Sequence, residues 1–249
     1  MSNMLILAPL PFTIVNLNGN GDPANLLTPD PKEAYFGSGG TGNPSLRLDL
    51  GAAQDIDTLF LGFTTNYVNA NWWTGTSTAA MAARGLINPA PATSVIAGRQ
   101  HFLARLPAPV SARYVDISPA RGPGDATLGI VMVGKAFQPT HNKEWGSGRG
   151  VIDTGSKDSL LGGGFGIGEG ARKGRFRWRL GDLADAEVET LYNLALDRGE
   201  TSSVLVVEDP DATVGLNNRL HYGLLDRIEE YERRNHGQTA WAMSVTQWV

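Results

Sequence analysis

The clearest pattern in the chain is Arg175-Phe176-Arg177-Trp178-Arg179-Leu180, where charged and apolar side chains alternate without a break. A period of two is that of a half-buried strand, so Phe176, Trp178 and Leu180 are predicted to point inward while the arginines face water or a partner. Leu46, Leu48 and Leu50 alternate with Arg47 and Asp49 in the same way. Shorter runs at 12–17, 58–64, 113–118 and 127–133 also read as strands. Turn residues separate them, at Asn18-Gly19, at Asn20-Gly21-Asp22-Pro23, at 38–40 and at Arg121-Gly122-Pro123-Gly124. No long amphipathic helix interrupts this part, and strands so spaced predict an antiparallel sandwich or jelly roll.

The period changes to that of a helix after Asp182. Ala184, Val188, Leu191 and Ala195 form an apolar stripe, with Asp185 and Glu187 early, Arg198 late and Gly199 as the stop, which predicts a helix over 183–198 capped by Asp182. Strands are then expected at 203–208, ended by Asp209-Pro210-Asp211, within 220–231 as one or two strands, and at 241–249. Strands, one helix and more strands predict a C-terminal β-sandwich or α+β domain with one packed helix, and a mainly β chain overall.

Charge locates the division between the halves. Residues 1–139 hold 8 basic and 8 acidic side chains, whereas 140–249 hold 13 and 17. The polar, proline-bearing stretch at 138–144 suits a linker, so domains are expected over 1–139 and 140–249. The 249 residues carry a net charge of −4, 41% hydrophobic residues and no cysteine. The lack of cysteine removes disulfides, thiolate nucleophiles and cysteine-based metal sites. The early apolar run 4–15 is broken by Pro9 and Pro11 and has no basic flank, so neither a secretion signal nor a membrane-inserted segment is expected.

Enzyme motifs are largely missing. Gly129 to Ala136 nearly fits a phosphate-binding loop, but Ala136 stands where the magnesium-binding hydroxyl belongs and the residues between read as a buried strand. The glycine-rich stretch 162–170 precedes a strand instead of opening a helix, and is read as a loop that neighbouring subunits order. His101, His141, His221 and His236 lack metal-pair spacing, and Asp22 and Asp30 do not define a calcium site. No catalytic residue, metal or cofactor is therefore expected.

Two clusters remain. Asn69, Asn71, Trp72 and Trp73 follow the strand near Thr64 in a stretch with little apolar periodicity. Indoles stack on the apolar faces of sugar rings and amides pair with their hydroxyls, which makes these four candidates for a glycan contact, while packing beneath a long loop is the favoured reading for at least one of the tryptophans. Arg175, Arg177 and Arg179 with their interleaved aromatics could engage nucleic acid, but the domain is acidic and its aromatics turn inward. A subunit interface with acidic residues of a neighbour is the preferred role for them, and no nucleic-acid partner is expected.

Three segments carry a family resemblance: 25–36 with its Asn25-Leu26 start and Tyr35-Phe36 after Asp30-Pro31, Leu48-Asp49-Leu50-Gly51, and Arg113-Tyr114-Val115. In this order they resemble the discoidin or coagulation-factor type C family, which implies a galactose-binding-like jelly roll over roughly 12–137. Residues 145–249 resemble distal tail and related ring proteins of long-tailed bacteriophages. The Arg-Phe-Arg-Trp-Arg strand, the 183–191 helix start and the closing Trp241-Ala242-Met243-Ser244-Val245 strand carry that likeness. In those proteins the ring-forming domain usually comes first, and here it comes second. The resemblance implies a structural virion protein, made in the host cytoplasm, that forms or decorates a ring at the tail tip. Its implied partners are the tail tube, the hub, copies of itself and host surface polysaccharide. The alternative is a carbohydrate-binding protein or module attached to a glycan-processing domain.

Overall fold

The computed structural model describes residues 3–36, 43–92, 100–226, 228–235 and 238–248. The turn expected at 38–40 and His236 lie outside them. The chain is mainly β and forms two compact units, Met1–Gln138 with Ser203–Leu220, and Pro139–Ser202 with His221–Val249. The sequence division at 139/140 therefore needs one amendment. Residues 203–220, expected in the second domain, return to the first unit, where β14 (Ser203–Val207) pairs antiparallel with β1 (Leu5–Leu7). Both strands are apolar and buried, and an apolar segment joins whichever sheet buries it, whatever its distance along the chain.

The rest of the first unit is a sandwich of jelly-roll type. Its main sheet runs β2 (Thr13–Asn18), β4 (Ser45–Thr64), β7 (Gln100–Arg121), β5 (Tyr67–Gly75), β6 (Met81–Ile87), with β9 (Ile130–Gly134) also on β4, and β3 (Tyr35–Phe36) pairs separately with β8 (Thr127–Leu128). The phosphate-loop look-alike is thus the buried strand β9. Leu46, Leu48, Ile56, Leu59, Leu61, Phe102, Val115, Ile117, Tyr35 and Trp72 form one apolar core. β4 and β7 are long antiparallel partners. The sequence breaks them into 45–50, 58–64 and 113–118 for a physical reason. Pro107 and Pro109 cannot donate to a ladder, and the pairing skips there from Val110 to Arg105. At the turn after β4, Asn66 takes φ 59°, and its amide donates to the backbone oxygen of Asp125 at 3.2 Å, a tertiary bond that ties this turn to the loop before β8.

The second unit is built on β13 (Arg172–Leu183), which lies between β10 (Gly148–Asp153) and β17 (Gln238–Gln247); β15 (Leu220–Leu225) and β16 (Glu232–Asn235) also pair with β17. The predicted alternation holds. Phe176, Trp178 and Leu180 are buried opposite Val245, Met243 and Trp241, and the ring of Phe176 stacks between Trp178 at 5.4 Å and His221 at 4.8 Å. The helix α1 spans Asp185–Arg198 and buries Val188, Leu191 and Ala195 as its stripe requires. Its cap differs from expectation. Asp182 belongs to β13, and the N-cap is Ala184, whose N–H donates to Oε2 of Glu187 at 2.9 Å. The glycine-rich stretch is ordered within the chain as part of a hairpin, β11 (Ser156–Ser159) with β12 (Phe165–Gly168).

Candidate functional site

Period-two alternation places Asn69, Asn71 and Trp73 on one face of β5 and Trp72 on the other. Trp72 is 2% exposed, lies across from Ile117 and belongs to the core, so it is withdrawn as a glycan contact. The whole group sits in a strand, where the sequence suggests irregular chain. Trp73 is half-buried opposite Asp116, whose carboxylate takes a two-pronged bond from Arg47 at 2.6 and 2.7 Å. Asn71 is exposed and Asn69 half-buried. The result is a shallow polar face with one partly available indole.

The arginines lead to a more developed site. On the outer face of the β13–β17 pair, Arg175, Arg177 and Arg179 line a cleft of about 500 Å³ with Glu144, Trp145, Asp226, Glu229 and Ser244. Two of the three are engaged within the chain. Arg179 reaches Glu232 at 2.8 Å and Glu144 at 3.4 Å, and Glu144 is also held by Arg234 at 3.1 Å. Arg175 meets Asp226 at 2.9 Å, and the same carboxylate accepts from the hydroxyls of Ser244 and Thr246, each at 2.6 Å. Acidic residues of a neighbour are therefore not needed to satisfy Arg175 and Arg179. Arg177, exposed between these two clamps and opposite Ser244, has no ion pair among the described residues.

Trp145 completes the cleft from a tight turn. Gly146 at φ 94° supplies the left-handed residue, the N–H of Glu144 donates to the oxygen of Arg179 at 2.8 Å, and Ser147 Oγ donates back to the oxygen of Glu144 at 2.9 Å. Glycine at 181 leaves room for the Glu144 carboxylate, which a Cβ there would force to shift. The turn carries Trp145 at 103% exposure, with its indole wholly in solvent. Sequence reading missed this residue because an isolated Trp in Glu144-Trp145-Gly146-Ser147 belongs to no periodic pattern; the flanking turn residues were the only signal that it would not be packed.

Asp226 and Glu187 give the second unit a pH dependence. Burial works against the charged form of Asp226, but the Ser244 and Thr246 hydroxyls and Arg175 outweigh it and hold the carboxyl below the usual range. Burial likewise opposes ionisation of Glu187, and the backbone N–H groups of Thr140 and Ala184 overcome it. Groups depressed in the folded state contribute stability that is present above the unfolded pKa, near 4, and disappears as pH falls through the folded value. Thermal stability of this unit is expected to fall between about pH 5 and pH 2. Asp226→Asn should flatten part of that fall and lower stability at neutral pH by about 1–3 kcal/mol. A pH-independent melting profile in the wild type would contradict the assignment.

Among the described residues no group of three or more His, Asp or Glu is arranged to hold a metal ion. His101 is buried and accepts the Phe63 N–H at 3.1 Å, His221 packs under Phe176, and Asp22 and Asp30 accept local backbone N–H groups at 2.9 and 3.0 Å. These interactions account for each of them as structure.

No protein-family profile and no curated protein matches the chain. Solved structures do. A family 32 carbohydrate-binding module of Clostridium perfringens NanJ in complex with galactose is 13% identical, and the match covers 52% of this chain and 98% of that one at a TM-score of 0.41. Another from the same organism, in complex with GalNAc-β-1,3-galactose, is 12% identical over 51% and 99% at 0.42. A third clostridial module of this type is 12% identical over 50% and 93% at 0.39.

Proposed function

We propose that the protein is a non-catalytic glycan-binding protein whose recognition site is the Trp145–Arg177 cleft, and that its ligand is a saccharide bearing carboxylate groups. One observation carries this reading: a fully exposed indole stands in the same cleft as an arginine with no acidic partner among the described residues. Leaving an indole in water forgoes roughly 2–3 kcal/mol that burial would contribute, and a sugar ring offers the apolar C–H face that recovers it. The planar guanidinium of Arg177 matches a uronate carboxylate in a two-pronged bond. Binding rather than turnover is the proposal because the Asp226 carboxylate already accepts from Arg175, Ser244 and Thr246, and that of Glu144 is paired with two arginines. Neither is poised as a general acid.

Calorimetric titration with a uronic-acid oligosaccharide and its neutral counterpart tests this reading. Trp145→Ala is expected to leave thermal stability unchanged and to weaken binding of both by more than about tenfold. Arg177→Ala should weaken only the acidic ligand, and Trp73→Ala neither. Full affinity in Trp145→Ala with loss in Trp73→Ala would move the site to the β5 face, and release of reducing ends from a polysaccharide would overturn the non-catalytic reading.

A second reading, the tail-tip virion protein that the resemblance of 145–249 implies, is favoured by a different observation. The ribbon over 148–177 pairs Gly148 to Asp153 with Arg172 to Arg177, continues into β11–β12, and is exposed along nearly its whole outer length. Its outer end, β11–β12, is a two-stranded sheet of its own, and such a hairpin is marginally stable in water, so this end is suited to assembly.

A further inference from the structure

We infer that the β11–β12 tip of one copy docks into the groove between α1 and 228–231 of a second copy, so that the chains associate head to tail. The proposal rests on the assembly reading and is independent of whether the cleft binds a glycan. The tip displays Leu160 at 56%, Leu161 at 111%, Phe165 at 55% and Ile167 at 75% exposure, with Lys157 Nζ over the Phe165 ring at 3.9 Å. Nothing among the described residues of the same chain covers this apolar knob. The groove, of about 450 Å³, is floored by Trp241 and walled by Tyr192, Leu196, Ile228 and Tyr231, with Glu229 and Glu230 on its rim. Leu196 at 65% and Tyr192 at 43% exposure leave its mouth apolar and open.

The two surfaces answer each other in chemistry. The knob is apolar with Lys157 and Asp158 at its base, the groove is apolar with carboxylates at its edge, and the positive charge lies along the ribbon that carries the knob, in β10 and β13. Residues 148–177 hold six basic and three acidic side chains, in a chain whose net charge is −4, so the ribbon is a cationic element on an anionic protein. A second copy is the occupant that this asymmetry favours. β10 and β11 together run from 148 to 159 and reach at most roughly 40 Å at about 3.4 Å per residue, enough to lie across a neighbour as well as to insert the tip. Because knob and groove are different patches, the contact is heterologous. Such contacts propagate into rings or filaments instead of stopping at a twofold dimer.

The test uses the full chain. Light scattering of the wild type at roughly 100 μM is expected to give a mass above the monomer. Leu161→Asp with Ile167→Asp, both at exposed positions, should reduce it to the monomer, as should Leu196→Asp in the groove, with unchanged circular dichroism and melting temperature in each. Mixing the two variants supplies one intact knob and one intact groove, and is expected to restore a 1:1 dimer and nothing larger. A monomeric wild type would overturn both this docking and the self-assembly reading, leaving the surfaces to a different partner. A wild-type oligomer that both variants retain, or variants that stay monomeric when mixed, would overturn the knob-in-groove contact alone.

Discussion

Replacing Trp72 with alanine is expected to destabilise the protein by about 3–5 kcal/mol, whereas Trp73→Ala should cost no more than roughly 1–2 kcal/mol. The two indoles are adjacent in sequence and alike in composition, so the difference comes only from the pleat. Trp72 is 2% exposed and faces the core, opposite Ile117. Removing it opens a cavity that the surrounding strands cannot close, because β5 is pinned on both sides by β6 and β7. Trp73 points away from the core beside the Arg47–Asp116 pair and is half-buried, so its removal exposes part of a charged pair and little else. Denaturant unfolding of the two variants decides the matter. Equal losses, or a larger loss for Trp73, would mean that β5 presents its other face to the core.

Trp178→Ala is expected to cost about 3–5 kcal/mol, and Trp178→Phe less than about 2 kcal/mol. Trp178 is 1% exposed and stacked on Phe176, at the centre of the second unit's apolar face. Its indole N–H is buried without a hydrogen-bond partner among the described residues. An unmet buried donor carries a desolvation penalty that phenylalanine does not, and relief of that penalty offsets much of the volume lost. The measurement is the denaturant midpoint of the two variants against wild type at unchanged m-value. A loss in Trp178→Phe as large as that in Trp178→Ala would show that the N–H is satisfied, and that the stack with Phe176 depends on the larger ring.

The legible features of this chain share one property, which is that they are local. Alternation at 45–50 and 175–180, the stripe from Ala184 to Ala195 and the turn residues between them depend on neighbours within about four positions. They were enough to predict a mainly β chain with one packed helix and to set Phe176, Trp178 and Leu180 against the arginines. The helix cap was misassigned because β13 runs on through Asp182 to Leu183, and a carboxylate inside a strand cannot cap the helix that follows. Asp182 sits where the β13–β17 register shifts between Leu180 and Leu183, and the strand resumes pairing at Leu183 before the helix starts.

The candidate site was legible only in part. Sequence singles out Arg175, Arg177 and Arg179 but ranks them alike, and the fold separates them. Arg175 finds Asp226 and Arg179 finds Glu232, partners 51 and 53 positions away, while Arg177 is left between them. Those distances lie far outside the reach of any periodic pattern. By itself, the sequence determined the elements, the faces of each strand and the compositional contrast between the halves, because these follow from the period of the backbone and the chemistry of adjacent side chains. Only the tertiary structure decided that Trp72 is core, that 203–220 rejoins the first unit, that Arg175 and Arg179 meet carboxylates while Arg177 meets none among the described residues, and that Trp145 stands exposed beside it. Each depends on which distant segments the apolar cores bring together, and burial has no fixed sequence spacing.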